Sequence, residues 1–257
     1  MLIDWAQQVV LITGASSGIG RALAVELAQR GAAVGLLARR LETLQEIVRE
    51  IEATGGRAFA LPADVTNADE VRAAAESLRA RFGQIDMLIA NAGVGGRIGS
   101  AEFDAQDVAD VLQINVVGAA NSVAAVLPEM RERGRGQLVA ISSLAAYRGV
   151  PKSAPYCASK AALTAMFESL RLDLTGTGVD VSIIYPGFIK TPLTTGRHAR
   201  MPYLMELDDA IQKIVRAIEQ RRKSYAFPWQ LASLVRLGLV MPVSLYDRIA
   251  LRNSFRE

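Results

Sequence analysis

The chain has one cysteine, Cys157, and one histidine, His198, in 257 residues. A single thiol excludes an internal disulfide framework and fits a reducing, cytoplasmic setting. No metal site is expected. Apolar runs approaching the roughly 20 residues of a bilayer span are lacking. The start, Met1-Leu2-Ile3-Asp4-Trp5, has neither the basic opening nor the long apolar core of a signal peptide. No linker, repeat or low-complexity segment interrupts the chain, so residues 1–257 are expected to form one domain, an ordinary size for a large α/β unit. Charge of one sign is also scarce, the net value being +3. It is unevenly placed. Between Arg221 and Glu257 seven basic side chains face only Asp247 and Glu257, a local excess of five, so the remainder carries −2. These basic residues are scattered among leucines and valines rather than lining a polar groove, which argues against a nucleic-acid partner.

What is present is a regular alternation. Val9–Thr13, Ala33–Ala38, Arg57–Leu61, Asp86–Ala90, Gln137–Ser142 and Asp180–Tyr185 are short β-rich apolar runs. Continuous apolar runs suit strands buried on both faces. Helical patterns lie between them, at Ile19–Arg30, through Ile47 and Ile51, at Val71–Phe82, along about 104–133 and at Tyr156–Leu174. The expected fold is α/β: a Rossmann-type, doubly wound parallel sheet of about seven strands with helices on both faces.

After the first strand the chain reads Gly14-Ala15-Ser16-Ser17-Gly18-Ile19-Gly20. Glycines permit a tight turn and close approach to a pyrophosphate, and the following helix start offers N–H groups and partial positive charge. The spacing is G-x-x-x-G-x-G rather than the commoner G-x-G-x-x-G. At the end of the second strand, where an NAD site places a carboxylate for the ribose 2′-hydroxyl, stand Ala38, Arg39 and Arg40. Guanidinium groups suit a 2′-phosphate. NADP(H) is therefore expected over NAD(H), with Arg39 the leading contact and Arg40 the alternate.

Taken in order, Thr13-Gly14-x-x-x-Gly18-Ile19-Gly20, Asp64-Val65, Asn91-Ala92-Gly93, Asn115, Ser142-Ser143, Tyr156-x-x-x-Lys160 and Pro186-Gly187 with Ile189 and Thr191 resemble the short-chain dehydrogenase/reductase family over about residues 8–195. The resemblance implies that Gly14, Ser16, Ser17, Gly18, Ile19, Gly20, Asp64, Val65, Asn91, Ala92, Gly93, Tyr156, Lys160, Pro186, Gly187, Ile189 and Thr191 bind the cofactor. Asp64 and Val65 would contact adenine, and Thr191 would hold the nicotinamide carboxamide.

Tyr156 and Lys160 are four residues apart and share a helix face. A free tyrosine titrates near pH 10, and a neighbouring ammonium favours the phenolate. Tyr156 is expected to exchange the proton with the substrate oxygen, and Lys160 to tune it and hold the nicotinamide ribose. By resemblance Ser143 hydrogen-bonds the substrate oxygen, although Ser142 is adjacent, and Asn115 anchors a water that relays protons to Lys160. Cys157 reads as a small apolar helix residue and His198 as a solvated loop residue.

The end of the chain departs from the family. Pro228 and Pro242 frame an apolar helix, a second short helix follows, and residues 229–257 form an atypical apolar and basic extension. Three readings are open: a helix packed on the substrate side or a partner subunit, a peripheral membrane contact, or a basic rim for an anionic acyl thioester. Thr177 stands where carrier-protein reductases often have arginine. Residues 190–210 form the expected substrate loop region, with Met201, Tyr203, Leu204 and Met205 suggesting an apolar pocket. The expected activity is NADPH-dependent hydride transfer between the cofactor and a lipophilic small-molecule carbonyl or secondary alcohol. A non-catalytic NADP(H)-binding sensor or scaffold, and a carrier-protein- or CoA-linked 3-oxoacyl reductase, are the alternatives. An epimerase or dehydratase acting on a nucleotide sugar has little room. A homodimer or homotetramer is implied by resemblance, through the 104–133 and Tyr156 helices.

Overall fold

The computed structural model of the chain describes residues 3–96, 103–195 and 201–253. His198, residues 196–200 of the expected substrate loop, and the last four residues of the extension lie outside them, as do Met1 and Leu2.

Seven parallel strands form one sheet: β1 Val9–Thr13, β2 Ala33–Ala38, β3 Arg57–Pro62, β4 Met87–Ala90, β5 Gly136–Ile141, β6 Val179–Pro186 and β7 Ser224–Phe227, in the order β3-β2-β1-β4-β5-β6-β7. The central strands are buried along their whole length, which is why their sequences show no polar alternation. The helices are α1 Gly18–Gln29, α2 Leu41–Ala53, α3 Ala68–Phe82, α4 Ala105–Leu112, α5 Gly118–Glu132, α6 Ala154–Asp173, α7 Leu207–Glu219, α8 Trp229–Val240 and α9 Val243–Asn253. One core layer is built from Leu23, Leu27, Leu44, Ile47, Ile214 and Ile218, which places α1, α2 and α7 on one face. Val71, Leu78, Val126, Met130, Leu163 and Phe167 place α3, α5 and α6 on the other. Each such side chain, fully withdrawn from water, contributes about 1.5–3 kcal/mol.

Sequence order reverses between β1 and β4, so the connections leaving these neighbours run to opposite sides and open a crevice at their C-terminal ends. Thr13 closes that crevice from below. Its Oγ1 accepts from the backbone N–H of Asn91 and of Ala92, both at 3.0 Å, and ties the end of β1 to the segment after β4.

The 104–133 stretch, expected as one helix, is two helices joined by a π-helical segment, Gln113–Val117, with Asn115 fully buried inside it. Ala105–Glu132 also meets the length and apolarity of a membrane span, contrary to the expectation that no run does, but this helix packs against α3 and α6 as a core element. A π turn is a tertiary feature: it widens the helix to seat one side chain, and no residue pattern announces it.

Candidate active site

The glycine turn fits a pyrophosphate in its steric and its electrostatic detail. Gly14 and Gly18 have φ of +65° and +54°, a left-handed backbone that side chains rarely adopt. A Cβ on Gly20 would lie 2.4 Å from the Gly14 carbonyl oxygen. Asn91 Nδ2 donates to the Thr13 carbonyl at 2.9 Å and to the Gly14 carbonyl at 3.3 Å, holding the turn from across the crevice. The N-cap of α1, Ser17, makes no side-chain capping bond, and no acidic residue stands in the first turn. In α3, by contrast, Asn67 caps and Asp69 and Glu70 neutralise the helix start. The α1 terminus therefore keeps its N–H groups and positive end for an anion.

At the end of β2 the arginines divide between two neighbours. Arg40 Nη2 donates to Ser16 Oγ at 3.2 Å, beside the glycine turn. Arg39, largely exposed, lies 3.9 Å from Asp64 Oδ2. The Asp64 carboxylate accepts from the Thr66 N–H at 2.9 Å and from its hydroxyl at 2.8 Å. The backbone bond from Thr66 is the main cause that holds Asp64 below the usual carboxylate range, although partial burial opposes it. Val65 is buried against the 118 position, and its carbonyl accepts from Asn121 Nδ2. Thr191 faces Gly18 across the turn, 3.6 Å from where a Cβ would stand. Pro186 ends β6, the Gly187 N–H donates to the Phe227 carbonyl, and Ile189 is buried beneath the loop. Arg40, Asn91 and Thr191 thus lie against the glycine turn.

Tyr156 and Lys160 lie in the first turns of α6, with the ammonium 5.8 Å from the phenol ring centre. Lys160 is buried, and its Nζ donates to the Ile141 carbonyl at 2.9 Å. Desolvation lowers its pKa to about 8. Ser142 and Ser143 follow β5 but face different ways. Ser142 is buried, its hydroxyl 2.8 Å from Thr164 Oγ1 and bonded to the Lys160 carbonyl, so it is spent on anchoring α6. Ser143 is only half-buried and accepts from the Ala145 N–H, which leaves its O–H hydrogen for another acceptor. Asn115 accepts from the Val94 N–H at 2.8 Å and donates to the Val94 carbonyl and to Ser159 Oγ. Its side chain braces the segment after β4 against α6. A Cβ on Gly93 would lie 3.2 Å from Asn115 Oδ1 and 3.5 Å from Lys160 Nζ, so that segment passes close between them. Cys157 is buried, which raises its thiol pKa, as suits an apolar helix residue.

Sequence reasoning did not single out Ser159, Thr164 or Thr66, which orient Asn115, Ser142 and Asp64. Their signal is ordinary hydroxyl chemistry on a helix or turn, and only the packing distinguishes them. Nor did it single out Arg148, which donates to the Gly238 carbonyl and lies 3.8 Å from the Tyr246 ring centre, so clamping α8 and α9 to the loop after β5.

Residues 8–202 match the short chain dehydrogenase family. An uncharacterized oxidoreductase of Myxococcus xanthus is 44% identical over 251 residues, covering 98% of this chain and 99% of that protein. The ketoacyl reductase HetN of Nostoc is 33% identical over 218 residues, covering 83% and 76%. The alcohol dehydrogenase of Thermococcus sibiricus, solved in complex with 5-hydroxy-NADP, superposes with a TM-score of 0.76 at 26% identity, covering 86% of this chain and 95% of that one. With the glycine turn, the switch-point crevice and the Tyr156–Lys160 pair in place, the chain belongs to the short-chain dehydrogenase/reductase family of oxidoreductases.

Proposed function

We propose that the protein is an NADPH-dependent reductase of a lipophilic carbonyl compound, acting in reverse on the corresponding secondary alcohol. The observation that carries this reading is the Tyr156–Lys160 pair, with Lys160 bonded to the end of β5 two residues before Ser143, in a fold whose glycine turn and uncapped α1 terminus suit a dinucleotide. Bound NADPH supplies the hydride. The chain supplies the rest. The Ser143 hydroxyl donates to the substrate carbonyl oxygen and stabilises the negative charge that grows there. The Tyr156 hydroxyl gives that oxygen its proton. The Lys160 ammonium favours the resulting phenolate and holds the nicotinamide ribose, while the Ile141 carbonyl and the Asn115 brace fix its position. In this reading a water held at Asn115 passes protons to Lys160 from solvent.

Arg39 and Arg40 support the NADP(H) preference, because no carboxylate occupies the end of β2 and both guanidinium groups lie at the rim beside Asp64 and Ser16. The NADP analogue in the Thermococcus structure supports the same preference. Replacing both arginines by alanine is expected to weaken NADPH binding about 10- to 100-fold, the scale of two exposed charge-assisted contacts, and to leave NADH binding unchanged. Titration of each cofactor by fluorescence checks this, and the two single variants rank the arginines.

Burial of Lys160 sets a pH dependence. Its pKa of about 8 lies below the ordinary 10.5, so the ammonium that would hold the ribose is lost as pH rises through about 8. NADPH affinity of the cofactor-free protein should therefore fall across that range. Lys160→Met should bind more weakly below about pH 8, approach the wild type above it, and show no inflection there in a pH series of Kd values.

The reaction itself is tested by NADPH oxidation against aliphatic, aromatic, steroidal and acyl-thioester carbonyls. A second reading, reduction of a 3-oxoacyl thioester, is favoured by the likeness to a ketoacyl reductase. Turnover confined to thioesters would select it, and tight NADPH binding with no turnover of any carbonyl would instead favour a sensor. A homo-oligomer formed through α4, α5 and α6 is part of the proposal.

A further inference from the structure

Helix α8 breaks the rule that an apolar helix face is a covered one. Only Gln230, Ser233 and Arg236 are polar among its 12 residues. A helix apolar on every side belongs in a core or in lipid. Yet only Ala232 and Gly238 are buried, with Leu231 and Val235 packed partly on the core. The outward stripe is Trp229, Leu237 and Val240, at 72%, 57% and 80% exposure, with Leu234 beside it. The stripe adjoins the substrate loop: Trp229, Tyr203, Leu204 and Met205 line one cavity of about 400 Å³ with Lys213 and Tyr225. Tyr203 and Leu204 are themselves exposed. The result is an exposed apolar surface, crossed on α8 by Ser233 and Arg236, with an indole and a phenol at its edge.

Charge decides what covers it. The stretch from Arg221 to Glu257 holds seven basic residues and two acidic ones, while the rest of the chain is slightly negative. Arg236 and Arg248 are exposed on α8 and α9 themselves. A two-fold contact between copies sets the same patch against itself, so Arg236 and Arg248 would face their own images with only Asp247 among the described residues of α8 and α9 to offset them. An anionic lipid surface meets both requirements: acyl chains for the stripe, headgroups for the arginines, and an interfacial depth suited to tryptophan and tyrosine.

We infer that α8, with the Tyr203–Met205 part of the substrate loop, is a monotopic docking surface for anionic membrane lipid. The cavity lined by Tyr203, Leu204, Met205 and Trp229 then opens at the lipid boundary. The surface alone carries this, so lipid binding and carbonyl turnover can fail independently.

The test is flotation of the full chain with phosphatidylcholine vesicles, with and without phosphatidylglycerol, beside the double variant Leu237→Glu, Val240→Glu. Both positions are exposed, so the fold should be kept, and an unchanged Tm verifies it. The wild-type chain should float with the anionic vesicles, and a bound fraction about tenfold lower is expected for the variant and at high salt, since loss of apolar insertion and screening of the arginines each weaken the contact. Emission from Trp229 should shift to the blue on binding, a change missing in Trp229→Phe, because Trp5 is already buried. Absence of flotation with either vesicle, or equal flotation of the variant, overturns the inference. So does a fall in subunit number of the variant by light scattering, which would assign the stripe to a second copy.

Discussion

Tyr156→Phe is expected to lower carbonyl turnover by about 100- to 10,000-fold, the range that a positioned acid contributes. The substitution removes one oxygen and keeps the ring, so α6 and the position of Lys160 should be undisturbed. Cofactor affinity should change little, because the glycine turn, the α1 terminus and the arginines lie outside α6. The informative comparison is therefore kcat against NADPH Kd. A large loss in kcat with Kd unchanged assigns Tyr156 to the chemical step. Ser143→Ala should fall in the same direction by about 10- to 1,000-fold, up to the scale of a lost oxyanion donor, whereas Ser142→Ala should act on stability through its bonds to Thr164 and the Lys160 carbonyl. Equal turnover by wild type and Tyr156→Phe would refute the mechanism outright.

Gly20→Ala carries the second large effect, on folding and cofactor binding together. The added Cβ would stand 2.4 Å from the Gly14 oxygen and 2.5 Å from Asn91 Nδ2. Neither can yield cheaply: one is backbone in a left-handed turn, and the other already donates to the Thr13 and Gly14 carbonyls. Overpacking of this kind costs about 1–3 kcal/mol, and breaking the Asn91 bonds adds a similar amount. A loss of about 3 kcal/mol corresponds to a Tm lower by about 6–12 °C for a chain of this size. NADPH affinity should fall at least about 100-fold, since the displaced turn is the proposed pyrophosphate cradle. Gly149→Ala, where nothing lies within 4 Å of the added Cβ, is the matched control and should be close to neutral. Calorimetric melts with and without NADPH check both parts. A normal melt for Gly20→Ala would mean the turn tolerates what its geometry forbids.

How much of this was readable without coordinates depends on the range of the interaction concerned. The strand runs and most helices are local patterns, and their ends agree with the structure to within a few residues. Tyr156 and Lys160 share a face because four residues make one helical turn, a relation internal to α6. The glycine turn is equally local, since Gly14 and Gly18 are required by their own backbone angles. The choice between Ser142 and Ser143 was not local. It rests on which hydroxyl meets Thr164, 22 residues on, and which stays beside the crevice. Asn115 was legible as a position but not as a brace, because its partners Val94 and Ser159 come together only through the π turn and the packing of α6. The relation of Arg39 to Asp64 and of Arg40 to Ser16 likewise needed β2 seated between β1 and β3.

The sequence by itself therefore determined the fold class, the dinucleotide turn and the Tyr156–Lys160 pair, because each is written in spacings of a few residues. Only the tertiary structure decided which serine is spent on packing, what Asn115 holds, and which face of α8 is left uncovered. Those depend on contacts between residues far apart in the chain, and spacing along the chain does not encode which distant surfaces meet.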